Sequence, residues 1–341
     1  MTRITTGILL SVLLSLLSLQ ALAQRKTDIV TLYNGDRITG EVKALDGGIL
    51  KLSTDSMGTV NIEWQEISTL ESKYFYEVRM GSGDRFLGRI DPSERPGQLV
   101  VTDLDGEHKL EWLQVVQMRP IEDEFLDQID IYFSAGYSYT RASSVAQTSI
   151  NTTISYENEK GLNNFTGRST VTDSSDETTS ATKLDLDRAV WTQRKNVFRT
   201  FFTNFESNDE LELEHRVGVG AGLGRFLVDD YRRRWSGVAG LQVITEQSKV
   251  TGRDQNLELV LSSRFKAWRF NTPELNLDFA FNLYPSLTDS GRLRSGSDLR
   301  LRWELFEDLF FDITAYGTYD NQADADNDID YGVTTGLGWE Y

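Results

Sequence analysis

The chain has 341 residues, a formal net charge of −17 at neutral pH and no cysteine. The acidic balance argues against a nucleic-acid-binding protein, because contacts to phosphate need a basic surface. Without cysteine the protein has neither disulfides nor thiol chemistry, so hydrogen bonding and burial must stabilise it.

The first 23 residues are predicted to be a secretory signal peptide. Arg3 precedes the apolar run ILLSVLLSLLSLQ, which leads to Ala21-Leu22-Ala23, a small-x-small cleavage site. The alternative, a retained transmembrane helix, would need about 20 apolar residues and a stop-transfer flank. We therefore expect an exported protein whose mature chain begins near Gln24.

An internal repeat with an offset of 48 residues occupies the predicted domain 24–122. The stretch LYNGDRITGEV at Leu32–Val42 recurs as MGSGDRFLGRI at Met80–Ile90, and Trp64 recurs as Trp112. Short alternating runs broken by NGD, DGG, SGD and PG predict strands that turn tightly, as in a small SH3-like or Sm-like barrel.

Two functions fit this repeat. One is a periplasmic module that binds a peptide, a glycan or a partner protein. The other, which we favour for the repeated positions, is a scaffold whose Gly-Asp pairs form turns and whose tryptophans lie in the core. RNA binding by an Sm-like barrel does not fit, because this domain holds 12 basic and 17 acidic side chains.

The acidic, proline-containing stretch MRPIEDEFLDQ predicts a boundary, with a linker at 123–127 and a second domain at 128–341. Alternating polar and apolar residues predict twelve strands in this domain, within a range of ten to fourteen. An even number suits a closed antiparallel barrel. The predicted strand cores are 128–140, 148–157, 163–172, 180–191, 197–206, 211–225, 233–246, 255–267, 274–284, 296–306, 309–320 and 329–341.

The last five predicted strands distinguish two faces. One set of alternate positions holds 27 residues and no side chain charged at neutral pH, whereas the 22 residues between them hold ten charged side chains. A soluble β-sandwich would alternate in the same way. Three further features favour a membrane: aromatic residues near strand ends, longer polar connections alternating with shorter ones, and the final strand.

The final strand carries Leu337, Trp339 and Tyr341 on one face. This aromatic carboxy terminus resembles the assembly signal of bacterial outer-membrane proteins, although most such signals end in Phe. An unpaired sheet edge in hydrocarbon would leave N–H and C=O groups unsatisfied. We therefore expect strand twelve to pair with strand one.

From the signal peptide, the NGDRITGEV type of unit and the barrel pattern, the chain resembles a family of uncharacterised outer-membrane proteins that includes salt-stress-induced outer-membrane proteins. The resemblance implies a location in the outer membrane and a barrel fold. It implies no reaction, because the family has none established.

Six charged residues are predicted to line the barrel interior: Arg264, Lys266, Asp278, Arg300, Arg302 and Asp312. They indicate either a charged channel lining that selects small polar solutes or cross-strand ion pairs that fill the interior. A twelve-stranded barrel falls between filled small barrels and open large ones, so both interpretations stand.

No enzyme, cofactor or metal site is predicted. The chain has two histidines, His108 in a turn and His215 on an apolar strand face, and no serine flanks His215 in the alternating frame. The acidic string DNQADADNDID begins like a calcium loop, but Ile329 stands where glycine is required and Thr335 where glutamate is required.

The sequence thus predicts an integral outer-membrane β-barrel protein of a Gram-negative bacterium with a periplasmic β module. Its expected role is a passive narrow channel or a structural, stress-related envelope component. The alternative is a binding or adhesion protein that acts through its outer loops or the periplasmic module. Expected partners are outer-membrane lipid and lipopolysaccharide, the outer-membrane assembly machinery, and a periplasmic partner or peptidoglycan.

Overall fold

The computed structural model describes residues 27–121, 129–140, 145–158, 160–174, 177–192, 195–209, 212–250, 252–269, 274–306, 309–322 and 328–339. Within these residues the chain forms two antiparallel sheets and two single-turn 3₁₀ helices, so the all-β prediction is confirmed. The described residues include no apolar helix of membrane-spanning length. The predicted linker 123–127 lies outside them.

The first sheet, which we call the N-terminal module, has nine strands. They are β1 (Asp28–Leu32), β2 (Arg37–Asp46), β3 (Ile49–Thr54), β4 (Gly58–Glu63), β5 (Ile67–Met80), β6 (Arg85–Asp91), β7 (Gln98–Thr102), β8 (Glu107–Glu111) and β9 (Val115–Pro120). Eight run in the order β4-β3-β2-β1-β5-β6-β7-β8, and β9 pairs with both β2 and β5. Strand β9 therefore ties two parts of the sheet together. The SH3-like or Sm-like identity stays a prediction.

The repeated tryptophans form the centre of the module's core. Trp64 is 0% exposed and Trp112 is 2% exposed, and their rings stack with centroids 4.0 Å apart. Each indole Nε1 donates to the backbone carbonyl of the other tryptophan, at 2.9 and 2.8 Å. Each tryptophan stacks on the ring of the other and accepts its N–H hydrogen bond, so the pair holds the two repeats together.

The Gly-Asp pairs form matching turns, as predicted. Gly35 and Gly83 have φ angles of 93° and 88°, a left-handed conformation that glycine adopts without steric cost. Asp36 donates its backbone N–H to the Asn34 side chain at 2.9 Å. The contact of Asp36 is local, so turn geometry explains the Gly-Asp pair of the first repeat.

The second sheet has twelve strands, as predicted. They are β10 (Ile129–Thr140), β11 (Val145–Asn158), β12 (Gly161–Asp173), β13 (Thr178–Trp191), β14 (Val197–Asn208), β15 (Leu213–Asp229), β16 (Arg233–Ser248), β17 (Gly252–Arg269), β18 (Leu275–Pro285), β19 (Leu293–Phe306), β20 (Leu309–Asp320) and β21 (Ile329–Trp339). Each strand pairs with the next one in the chain. The alternating pattern therefore identified the strands, with ends that differ by a few residues.

The strand register divides this sheet into an outward and an inward face. Val219 pairs with Val243, and Val243 pairs with Leu257, so apolar side chains meet across neighbouring strands. Large apolar side chains that remain exposed continue on the outward face across the sheet. They are Ile131, Ile150, Ile154, Val171, Leu184, Leu186, Phe201, Val217, Val219, Leu223, Leu227, Trp235, Leu241, Val243, Leu261, Phe279, Phe281, Trp303, Leu305, Ile329, Tyr331 and Val333.

The twelve-stranded sheet curls around its inward face. Neighbouring strands lie about 4.8 Å apart, so β15 and β20 would be roughly 24 Å apart in a flat sheet. Instead, the Arg216 side chain of β15 lies 3.9 Å from the Asp320 carboxylate of β20. Between 129–140 and 329–339 the described residues record no pairing of β10 with β21. The expected seam between the first and last strands thus stays a prediction.

Candidate functional site

The N-terminal module contacts one end of the curled sheet, which we call the proximal end; the opposite end is the distal end. The contact centres on Asp229, the last residue of β15, whose side chain is fully buried. Arg79 of β5 donates to this carboxylate at 2.6 Å, and Arg234 of β16 donates to it at 3.0 Å. Arg234 also donates to Asp46 of β2 at 3.0 Å. Alternating charges thus link the two sheets.

A second group of contacts joins β9 to β11. Arg119 forms an ion pair with Glu157, and Gln117 donates to the same carboxylate at 3.0 Å. The Glu157 side chain is 16% exposed, so this pair is also partly removed from water. The module is therefore held at more than one strand of the proximal end.

The turn between β13 and β14 supplies a third group of contacts. Asn196 donates its side-chain amide to the Gly81 carbonyl at 3.1 Å, and Lys195 forms an ion pair with Asp84. The Arg85 guanidinium lies 5.3 Å from the centre of the Trp191 ring, within cation–π range. These contacts place the second repeat of the module against the turn.

Two module carboxylates respond to these partners. Partial burial, which leaves 51% of the Asp46 side chain exposed, raises the pKa of Asp46. The charge and hydrogen bond of Arg234, together with the charges of Arg119 and Arg79, outweigh this effect, so the pKa lies below the ordinary value. Hydrogen bonds from Lys195 and Ser82 lower the pKa of Asp84. Both ties to the curled sheet therefore favour ionised carboxylates.

The inward face at the distal end carries a set of ion pairs that we call the distal cluster: Glu206, Arg216, Glu246, Arg292 and Asp320. Arg292 donates to Glu246 at 2.8 Å and to Asp320 at 2.9 Å. Arg216 donates to Glu246 at 2.9 Å and to Glu206 at 3.2 Å. Only 6% of the Arg292 side chain and 14% of the Arg216 side chain are exposed. The cluster connects β14, β15, β16 and β20, so it crosses the interior.

A second buried pair lies next to the distal cluster. Arg294 of β19 donates to both carboxylate oxygens of Glu258 on β17, at 2.9 and 2.7 Å. Gln242 of β16 donates to the same carboxylate at 2.6 Å. The Glu258 side chain is 0% exposed. A buried carboxylate needs such full pairing, because an unpaired charge out of water is costly.

Three of the residues predicted to line the interior meet near the proximal end. Arg264 of β17 donates to both carboxylate oxygens of Asp278 on β18, at 3.0 and 2.7 Å. Lys266 lies 3.5 Å from the same carboxylate. Here 54% of the Arg264 side chain and 41% of the Lys266 side chain are exposed. The pairing resembles that at the distal end, but these three side chains are much more exposed.

The other predicted positions are located by register. Arg300 pairs with Asp278 across β18 and β19, and Arg302 pairs with Asp312 across β19 and β20. Arg300 is exposed, and both arginines have interaction partners. The Asp312 side chain lies outside the described residues, as do the side chains of Leu337 and Trp339 and the whole of Tyr341. The predicted assembly signal is therefore not described.

Sequence reasoning missed the distal cluster and the docking charges. Arg292 lies in the connection between β18 and β19, outside any alternating run, and Asp229 lies within the acidic and basic string LVDDYRRR. That string of opposite charges in a short turn was an available signal. No group of three or more His, Asp or Glu side chains suited to a metal ion occurs among the described residues.

Comparison with protein families gives one match. A family model described as a protein of unknown function, DUF481, matches residues 133–341, which include nearly all of the twelve-stranded sheet. Comparison with curated proteins gives no match.

Proposed function

The chain belongs to the DUF481 family, and we propose that it is an integral outer-membrane β-barrel protein that serves as a structural component of the bacterial envelope. In this proposal the curled sheet spans the membrane with its outward face in lipid. The N-terminal module lies in the periplasm, and the interior of the barrel is closed to solutes.

The outward face supports the membrane location. Exposed large apolar residues extend from Ile131 on β10 to Val333 on β21, and several are more than half exposed, as Tyr331 is at 76%. In water such a surface would lead to aggregation, since soluble monomers seldom expose a large continuous apolar patch. Within a bilayer it is the surface that lipid chains require.

The position of the module supports the orientation. It contacts Glu157 beside the short turn after β11, Asn196 in the turn after β13 and Asp229 beside the turn after β15, and the module comes before the first strand of the sheet. A signal peptide exports the chain to the periplasm, so these turns face the periplasm and the distal end faces outward. Short periplasmic turns and longer outer loops are usual in outer-membrane barrels.

The distal cluster is the observation that favours a structural role over transport. Arg216 and Arg292 are nearly buried and bind carboxylates from several strands across the interior. A pore needs water along its whole length, whereas this level is occupied by paired side chains. The cluster also fastens strands far apart in sequence, which stiffens the barrel.

A narrow channel is the second candidate. It is favoured by the half-exposed Arg264, Lys266 and Asp278 near the proximal end, which could face a water-filled chamber. Such a channel would have to open at the distal cluster. No catalytic role is proposed.

The membrane location is tested by cell fractionation together with gel migration before and after heating. We expect the protein in the outer-membrane fraction and a heat-dependent shift in migration. Protease added to intact cells should leave the N-terminal module uncut, and permeabilised cells should lose that protection. Recovery of the folded protein in the soluble periplasmic fraction would overturn the proposal.

A further inference from the structure

Three arginines interrupt the apolar outward face near the proximal end: Arg188 on β13, Arg199 on β14 and Arg225 on β15. All three side chains are exposed. Every other outward position of these strands from Thr182 to Val190, Val197 to Phe205 and Val217 to Leu227 holds an uncharged residue. The three arginines are thus the charged residues of an otherwise uncharged surface.

The register brings the three arginines together. Arg199 pairs with Leu223, so Arg225, two residues further on, is its diagonal neighbour. Phe201 pairs with Arg188, so Arg188 is the diagonal neighbour of Arg199 on the other side. Diagonal neighbours in a sheet lie about 7–8 Å apart, within reach of long side chains. We call this row of three the arginine diagonal.

Among the described residues, no side chain neutralises the arginine diagonal. In the part of the chain that the structure describes, none of Arg188, Arg199 and Arg225 has an ion pair or hydrogen bond through its side chain. By contrast, Lys195 and Arg233 near the same end are paired with Asp84 and Asp230. Three adjacent positive charges repel each other, so an external anion at this position would be bound favourably.

The location identifies the kind of anion. Arg188 and Arg199 lie within a few residues of the turn between β13 and β14, and Arg225 lies close to the end of β15 at Asp229. These strand ends mark the membrane boundary if the barrel spans a bilayer. A charge on the lipid face is tolerated at this depth, where it costs about 0–1 kcal/mol, but is unfavourable at the midplane. Leu186, Leu223 and Leu227 lie on the same face and are exposed, so acyl chains can contact them.

We propose that the arginine diagonal binds the headgroup of an anionic phospholipid in the periplasmic leaflet. Guanidinium groups form paired hydrogen bonds with phosphate oxygens, and the adjacent leucines accept the lipid's chains. This inference rests on the proposed membrane location. It adds a specific lipid partner for the proximal rim of the barrel.

The test uses the full-length protein refolded into vesicles of phosphatidylcholine mixed with phosphatidylglycerol. Quenching of tryptophan fluorescence by brominated forms of each lipid gives the relative binding constant of the anionic lipid over the zwitterionic one. Each arginine near an anionic headgroup contributes about a fivefold preference. We expect the variant with Arg188→Gln, Arg199→Gln and Arg225→Gln to lose at least about fivefold of the wild-type preference.

Two controls test separately the charge of the site and its position. The variant with lysine at all three positions keeps the charge and should keep most of the preference. Arg253→Gln removes an exposed arginine at the distal end and should leave the preference unchanged. Equal preference in wild type and the triple glutamine variant would overturn the lipid site.

Two further outcomes distinguish the lipid site from the membrane location. Protein that inserts into vesicles but shows no anionic preference contradicts the lipid site alone. Protein that does not float with vesicles of either composition contradicts the membrane location and the lipid site together. Inorganic phosphate should not reduce the preference; if it abolishes the preference, the site binds free phosphate and the lipid assignment is wrong.

Discussion

The two ends of the curled sheet's interior use the same chemistry in different surroundings. At the distal end Arg294 binds Glu258 through two hydrogen bonds, and the carboxylate is completely buried. At the proximal end Arg264 binds Asp278 in the same two-bond manner, but 54% of the arginine side chain is exposed. Hydrogen bonding alone therefore does not make an ion pair important for stability. The pair must also be buried.

The largest expected effect comes from the same substitution at both ends. Arg294→Leu leaves Glu258 buried without its cation, which should cost about 3–5 kcal/mol of unfolding free energy. Arg264→Leu breaks an exposed pair and should cost about 0–1 kcal/mol. Urea midpoints of the two variants refolded in detergent measure the difference. Equal urea midpoints for the two variants would contradict the difference in stability between the buried and the exposed ion pair.

The outward face provides the next comparison. Leu301 and Arg302 are adjacent on β19 and lie on opposite faces. Leu301→Arg puts a charge in lipid, at a cost of about 2–4 kcal/mol near the midplane. Arg302→Leu removes an inward charge and should have a smaller effect. The folding yield into vesicles measures both effects. A greater loss of yield from Arg302→Leu than from Leu301→Arg would show that the outward and inward faces are assigned the wrong way round.

The proximal interior should tolerate removal of further charges. Arg300→Ser combined with Arg302→Ser should lower the unfolding free energy, measured by urea denaturation, by about 1 kcal/mol or less, because Arg300 is exposed, Arg302 is only partly buried and charges in contact with water contribute little. A matched double variant at the distal end, Arg216→Ser with Arg292→Ser, should destabilise strongly. A large loss from the proximal pair would indicate that this end is also packed.

The smallest expected effect concerns the contact between the module and the sheet. Because the pKa of Asp46 is lowered in the folded protein, the stability from its pair with Arg234 is present above about pH 4 and is lost as the pH falls. The Asp46 side chain is 51% exposed, so the change should be small. The yield of cross-linking between the module and the sheet should fall as the pH is lowered. In the Asp46→Asn variant this yield should fall less.

The sequence predicted the strands better than it predicted the contacts between them. Alternation depends on neighbouring residues, so β10 to β21 could be located, and Arg264 could be placed near Asp278 of the next strand. The distal cluster joins Arg216 to Asp320 across five strands. Such a contact depends on how the sheet curls, which no local pattern specifies.

The docking of the module was also beyond local patterns. Arg79 and Asp229 are 150 residues apart and belong to different sheets. Each looks like an ordinary surface charge in the sequence, since a charged residue next to a turn is usually solvated. Only the approach of the two sheets reveals that both are buried.

Single-channel recording in a planar bilayer tests the closed interior most directly. Wild-type protein should insert and conduct little, because the distal cluster occupies the interior. Flotation of the wild-type protein with vesicles is the control for insertion, and the variant with Arg216→Ser and Arg292→Ser should conduct measurably wherever it retains its fold. Steady, large conductance from the wild type would contradict the structural role and favour a channel.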